Sequence, residues 1–276
     1  MENGTVKISV LMSVYDEKER FLKRSMESIL HQTFSDFEFI IIDDGTTDKQ
    51  CLAILNAFSE KDSRIKLFHN KKNLGLTESL NKGIAFAQGK YIARLDSDDV
   101  ADIHRLEKQL EFMEKNPEIV LCGSWSYIIN EKDDIIGEKK FFTDYEKIKK
   151  NLLLFNFFTH SSLFFQRDMI EKLGGYNKNA KKAQDYDLIL KISARHVVAN
   201  IPEFLCFNRV WPGNITSKGK KKQEWYAIKA RWNAIWSYGY PKIHFYKIIP
   251  SVLYFLLVPY FLEKQLFKIL WHKFQK

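Results

Sequence analysis

The sequence predicts an α/β fold built on a mainly parallel central sheet, and two observations carry that prediction. Short apolar, β-rich runs alternate four times with amphipathic stretches of helical period over residues 7–115, joined by links short enough for crossover units. Three of those runs end in carboxylates: Asp16, Asp43 with Asp44, and Asp96 with Asp98. Strand ends in an open parallel sheet share one edge, and ligands bind there.

Residues 7–12 (KISVLM) are nearly all apolar and read as a central strand, with 13–16 as its exit loop. Leu22, Met26, Ile29 and Leu30 then fall on one face of a helix that closes near Gln32. The next strand, 37–42 (FEFIII), runs into Asp43 and Asp44, where Gly45 permits a turn and Thr46, Thr47 or Asp48 can cap the following helix. A third unit passes from 65–69 through Asn73-Leu74-Gly75 into a helix with Leu76, Leu80 and Ile84 on one face. Gly89-Lys90 breaks the chain before the run that opens at Tyr91 and ends in Asp96-Ser97-Asp98-Asp99. Asp96 and Asp98 lie two apart in an extended segment, so both can reach one hard divalent cation. Acids after a strand also serve as solvated turns or helix caps. Three acidic strand ends on one edge repel each other, and a cation or ligand donors must offset that repulsion.

After a helix carrying Leu106, Leu110 and Met113 the alternation stops. Residues 119–129 and 135–142 flank Glu131-Lys132-Asp133-Asp134 as a hairpin, so the second half is mixed. A helix over about 145–155, the segment from His160 to Phe165, Gly174-Gly175-Tyr176 and a strand at 204–207 follow. Asp185 opens a helix whose apolar face is Leu188, Ile189 and Ile192. There it either complements the helix dipole or does chemistry.

A chain of 276 residues holds one large α/β domain with a tail. The expected division is a catalytic domain at 1–217 and a basic, aromatic-rich helical tail at 218–276. Cys51, Cys122 and Cys206 are widely spaced, with no CxxC, and read as reduced core residues. With no charged-then-apolar leader at the start, the expected location is cytoplasmic. Of the net charge of +9, residues 218–276 supply twelve bases against two acids, while the preceding 217 carry 31 against 32. Basicity confined to the tail excludes a nucleic-acid groove through the body and points to a membrane surface, the inner face. Residues 248–262 (IIPSVLYFLLVPYFL) are too short to span a bilayer and contain Pro250 and Pro259. They read as an interfacial segment, or else as a helix packed on the body.

Taken together, Ser9 to Asp16 (SVLMSVYD), Ile42 to Asp48 (IDDGTTD), Asn73-Leu74-Gly75 with Asn81-Lys82-Gly83, Leu95 to Asp99, and His160-Ser161-Ser162 through Gly174-Gly175-Tyr176 to Gln184-Asp185-Tyr186-Asp187-Leu188 resemble the family 2 inverting glycosyltransferases of the GT-A type fold, over roughly residues 8–209. The resemblance implies a nucleotide-sugar donor, usually a UDP-sugar, a Mg²⁺ or Mn²⁺ cofactor, and a lipid-linked or surface polysaccharide acceptor. It implies that Tyr15, Asp43 and Asp44 frame the nucleoside, that Asn73 and Gln184 bind substrate, and that Asp96 meets the ribose or sugar. Asp98 would hold the cation, Arg209 the diphosphate, and Asp185 would match the catalytic base. His160 is a candidate acceptor contact, although a lone histidine beside an apolar strand is commonly structural. The first loop departs from the pattern, with Ser13-Val14-Tyr15-Asp16 where proline and asparagine are frequent. Such an enzyme needs a Lewis acid for the departing diphosphate and one carboxylate to take the acceptor proton. A glycosidase would want an acid and base pair flanking the bond. A sugar nucleotidyltransferase would carry a glycine-rich phosphate loop, and residues 13–20 hold no glycine. A non-catalytic, membrane-bound sugar-nucleotide-binding protein would keep the acidic edge without needing Asp185.

Overall fold

The computed structural model describes residues 6–211 and 220–257. Strands β1 (Ile8–Val14), β2 (Phe37–Asp43), β3 (Ile65–His69) and β4 (Tyr91–Arg94) are mutually parallel in the order β3-β2-β1-β4. Every residue of β1, β2 and β4 is buried, as strands covered on both faces must be. The chain steps outward from β1 to β3 and then returns to the far side of β1 to form β4. That reversal opens a crevice at the carboxyl ends of β1 and β4, where the acids lie.

Helices α1 (Glu19–Leu30), α2 (Lys49–Lys61) and α4 (Arg105–Lys115) cover one face, burying Leu22, Met26, Leu55, Leu106 and Met113. The other face is covered by α3 (Leu76–Phe86), α5 (Tyr145–Asn151), α6 (Arg167–Lys172) and α7 (Gln184–Ser193), through Leu80, Ile84, Ile148, Ile170, Leu188 and Ile192. Asp48 caps α2 by accepting from the Gln50 and Cys51 amides at 2.7 and 3.0 Å, the role that the turn residues predict.

The second half is antiparallel and mixed, as expected. β8 (Phe164–Gln166) pairs antiparallel with both β4 and β6 (Ile119–Ile129), and β7 (Ile135–Lys139) forms the expected hairpin with β6. β9 (Val197–Arg209) runs parallel to β6, and the short β5 (Val100–Ala101) closes the far edge. The expected strand at 204–207 is the end of this longer one, which contains Pro202. The strand continues through it by slipping register between Ile201, which faces Ser124, and Phe204, which faces Trp125.

The division expected at residue 217 is not a break in packing. Beyond it lie α8 (Lys220–Asn233), a π turn at 234–238, a 3-10 segment at 242–248 and α9 (Ile249–Leu257). Ile228, Ala234, Ile235, Tyr240 and Ile248 belong to the same apolar core as Leu188 and Ile192 of α7. Ile248, expected to begin an interfacial run, is 1 % exposed, and the part of that run from residue 258 lies outside the described residues. Arg231 is buried too, donating to the Tyr186 hydroxyl at 3.2 Å and the Leu154 carbonyl at 3.2 Å and pairing with Glu224 at 3.0 Å. Ile235→Ala should therefore cost about 2–5 kcal/mol of folding stability, the range for a cavity in a packed core. Urea unfolding checks this, and a loss of only a few tenths would mean that the segment lies loosely on the body.

Candidate active site

Four loops meet at the crevice. The loop after β1 places Tyr15 with its ring half exposed and Asp16 in a left-handed conformation at φ +45°. Asp16 is held there by its carboxylate, which accepts from the Thr47 and Asp48 amides at 2.7 and 2.9 Å. Burial works to raise its pKa, but those donors outweigh it and the net shift is downward.

After β2 the two neighbouring acids have different tasks. Asp43 is buried, accepting from the Thr46 amide at 2.9 Å and meeting His69 Nδ1 at 2.8 Å. Asp44 is equally buried and turned toward the chain, accepting from Asn70 Nδ2, the Leu74 amide and the Gly75 amide, each at 2.8 Å. Asp44 thus folds the 70–75 loop, and a direct nucleoside contact does not fit its geometry. Gly45, at φ +75°, lies against this loop so closely that a Cβ would fall 2.5 Å from the Lys72 carbonyl carbon. Asn73 is exposed at the same mouth.

The loop after β4 carries the densest charge. Asp96 pairs with the fully buried Arg94 and accepts from Ser161 Oγ at 2.8 Å. Burial alone would raise its pKa, yet the Arg94 guanidinium brings it down to about 2. Asp98 has the opposite balance. Its carboxylate accepts from Trp211 Nε1 at 3.1 Å, while burial and the charges of Asp99, Asp96 and Glu17 push it up to about 8. Asp99 is fully buried and accepts from Ser161 Oγ, from Asn208 Nδ2 at 2.9 Å and from the Arg209 amide at 2.6 Å. Burial, then Asp96, raise it to about 6.

Among the described residues no group of three His, Cys, Asp or Glu converges as a ready-made metal cage. The donor set still fits a hard divalent cation. Asp98 is a carboxylate disfavoured by like charges, which a cation would relieve, and Mg²⁺ is commonly bound by one or two carboxylates with substrate phosphates completing the shell.

Across the crevice, Asp185 lies in the first turn of α7, where its carboxylate meets the Tyr186 amide and accepts from Asn156 Nδ2 at 3.2 Å. Burial raises its pKa, and it senses both Asp96 and Arg94. Gln184, beside it, is buried. His160 Nε2 lies 3.1 Å from the Tyr176 hydroxyl, and burial with the nearby Arg94 charge lowers its pKa to about 3, so the ring is neutral. Tyr176 is itself clamped by Asn81, which accepts from its amide at 2.8 Å and donates to its carbonyl at 2.9 Å. Gly175, at φ +65°, allows that clamp, since a Cβ there would fall 2.5 Å from Asn81 Oδ1.

Of the residues singled out by sequence, Asp96, Asp98, His160 and Asp185 surround this crevice, with Asp43 and Tyr15 at the ends of β2 and β1 beside it. Arg209 does not reach it as a diphosphate ligand would have to. Its guanidinium is buried, donating to the Asp98 carbonyl at 2.7 Å and the Asn130 carbonyl at 2.8 Å, and pairing with Asp133 at 2.5 Å. Sequence reasoning missed Glu17, which accepts from Ser97 Oγ at 3.0 Å and raises Asp98, and it missed Asn156, which holds Asp185. Asp187, the other acid at the start of α7, is fully buried and accepts from the Tyr238 hydroxyl at 2.7 Å, which makes it an anchor for the tail.

The site is an acidic crevice at the carboxyl ends of parallel strands, and comparison with known proteins gives the family. The sequence model of glycosyl transferase family 2 matches residues 9–174, and the chain belongs to that family. An uncharacterized glycosyltransferase of Methanocaldococcus jannaschii is 36% identical over 275 residues, covering 95% of this chain and 93% of that protein. The O-antigen biosynthesis glycosyltransferase WbnJ of Escherichia coli is 38% identical over 186 residues, 67% of this chain and 71% of its own. Among solved structures, TarS 1-349 of S. aureus in complex with UDP-GlcNAc aligns at a TM-score of 0.73 with 14% identity, over 94% of this chain and 78% of that one. The mannosyltransferase PcManGT of Pyrobaculum calidifontis, in complex with GDP-Man and Mn²⁺, aligns at 0.67 with 15% identity, over 91% and 70%. The fold is of the GT-A type, as the motifs predict.

The raised pKa of Asp98 has a measurable sign. A carboxylate whose folded pKa exceeds its unfolded value keeps a proton that the unfolded chain releases, so its stabilising contribution is complete below the unfolded value and disappears as pH rises through the folded one. In chelator, the melting temperature should therefore fall between about pH 5 and about pH 8, and Asp98→Asn should flatten that fall. Asp96, shifted downward, contributes the reverse slope only at more acid pH. Thermal melts of both proteins across this range check it, and parallel curves would assign the slope to another group.

Proposed function

We propose that this protein is an inverting, metal-dependent glycosyltransferase that moves a hexosyl group from a UDP-sugar to a hydroxyl of a lipid-linked or surface polysaccharide chain. The observation that carries the reading is a single carboxylate, Asp185, at the start of α7, within electrostatic reach of the β4 acidic loop and with its pKa raised by burial. A raised pKa strengthens a carboxylate as a general base. Asn156 and the helix N-terminus fix its direction, so it can take the acceptor proton as the hydroxyl attacks the anomeric carbon from the face opposite the diphosphate. Inversion follows from one displacement with no covalent sugar intermediate.

On the donor side, the exposed Tyr15 ring and buried Asp43 frame the nucleoside, and Asp96, held ionised by Arg94, accepts from ribose or sugar hydroxyls. Asp98 would hold Mg²⁺ or Mn²⁺, which when bound neutralises charge on the departing diphosphate. The UDP-GlcNAc in TarS and the Mn²⁺ in PcManGT support these choices, and the O-antigen role of WbnJ supports a polysaccharide acceptor.

UDP should raise the melting temperature only with Mn²⁺ or Mg²⁺ present, because Asp98 and the diphosphate each supply part of one coordination shell. Equal stabilisation by UDP in excess chelator would overturn the metal assignment. Asp185→Asn should leave that stabilisation intact while transfer falls by at least about a hundredfold, the scale of a lost general base. Transfer near the original rate would return Asp185 to a helix-terminal role.

A further inference from the structure

The solvent face of α8 is inverted relative to an ordinary surface helix. Trp225, Trp232 and Trp236 are 43, 49 and 47 % exposed and recur at helical spacing along α8 and its π turn, with the exposed Lys229 between them on the same face. The apolar residues that hold the helix to the body, Ile228, Ala230 and Ile235, are buried beside that stripe. Folding is thus served by one face, and the tryptophan face is left to solvent. Trp232 and Trp236 stack at 4.1 Å between centroids and 5° between planes, and Phe245 of the 3-10 segment packs edge-on against both at 6.0 and 5.6 Å. Beside this cluster Ile243 is 77 % exposed.

The charge around the patch has one sign. Residues 220–257 contain seven bases and one acid, and that acid, Glu224, is spent on the buried Arg231 at 3.0 Å. Six lysines remain without an acid of their own segment. Two of them, Lys221 and Lys222, line a cleft of about 380 Å³ whose other walls are Trp225 and Phe255. Among the described residues no helix is long and apolar enough to cross a membrane, and a face of this composition suits the surface of a bilayer.

We infer that this face docks on an anionic lipid bilayer, with Trp225, Trp232, Trp236 and Phe245 at headgroup depth and the surrounding lysines on lipid phosphates. Tryptophan favours that depth because its ring is apolar and its N–H is polar. A second copy of the chain is a poorer occupant, because an isologous contact would set the lysines of one subunit against the same lysines of the other. The inference stands independently of the donor and of Asp185.

The full-length protein should co-sediment with phosphatidylcholine vesicles containing phosphatidylglycerol and only weakly with phosphatidylcholine alone, with a blue shift of tryptophan emission on binding. Each lysine near an anionic surface is worth about fivefold in partitioning, so Lys222→Gln, Lys229→Gln and Lys242→Gln together should weaken binding roughly a hundredfold. Trp232→Ser with Trp236→Ser should weaken binding to anionic vesicles and reduce the blue shift to the share that Trp225 contributes. All five positions are exposed, so circular dichroism should stay native, and the lysine variants should keep the melting temperature. The inference is overturned if the unaltered protein ignores anionic vesicles, or if both sets of variants bind as it does. It is also overturned if the protein is a dimer by light scattering that the tryptophan variants convert to monomer.

Discussion

A fully buried carboxylate, Asp99, sets the geometry on which the rest of the site depends. It draws together three segments distant in sequence: its own loop after β4, the turn carrying Ser161, and the end of β9 at Asn208 and Arg209. A buried charge is tolerated only when donors surround it, and removing it would leave those donors unpaired in the interior. The loop is thus pinned at its last residue. Arg209 then fixes the residue before by donating to the Asp98 carbonyl at 2.7 Å. What remains for Asp96 and Asp98 is to point into the crevice from a backbone with little choice of path.

Within that loop one buried cation is divided unequally. Arg94 pairs with Asp96 and brings it down to about 2, while Asp98, two residues on, is buried among carboxylate neighbours and rises to about 8. Burial, helped by the same guanidinium, keeps His160 neutral, so the ring can accept or donate a hydrogen bond without adding charge. Environments that push identical groups apart are how one residue type serves two tasks. Asp96 is equipped to accept hydrogen bonds at any physiological pH, and Asp98 to be completed by a cation.

The strand ends were legible because a buried parallel strand has a pattern of its own and its exit edge follows from topology. The tasks of the acids on that edge were less so. Asp43 and Asp44 are adjacent and alike in sequence, and only the folded 70–75 loop shows that Asp44 is consumed by three donors from that loop. Arg209 was misread for the same reason, since a buried arginine facing Asp133 and two carbonyls looks in sequence like one that grips phosphate. Asn156 had no local signal, because its partner lies 29 residues away. The packing of α8 did have a signal, in Ile228 and Ile235 one heptad apart, but the tryptophans on the neighbouring stripe carry the same helical period more strongly.

The contacts of α7 explain why the helices beyond residue 220 are no appendage. Its first turn carries Asp185 toward the crevice, and its next residues turn outward: the Tyr186 hydroxyl accepts from Arg231 at 3.2 Å, and Asp187 accepts from Tyr238 at 2.7 Å and Asn233 at 3.2 Å. Asp187 and its partners are polar groups satisfied by each other in a buried layer, an arrangement that specifies one docking of the two helices and no neighbouring one. The carboxylate at the crevice and the tryptophan face of α8 therefore belong to one packed unit. A surface that seats on that face fixes the distance and direction from itself to Asp185. The orientation of the crevice toward an acceptor is in this way built into the core packing and does not depend on a flexible linker.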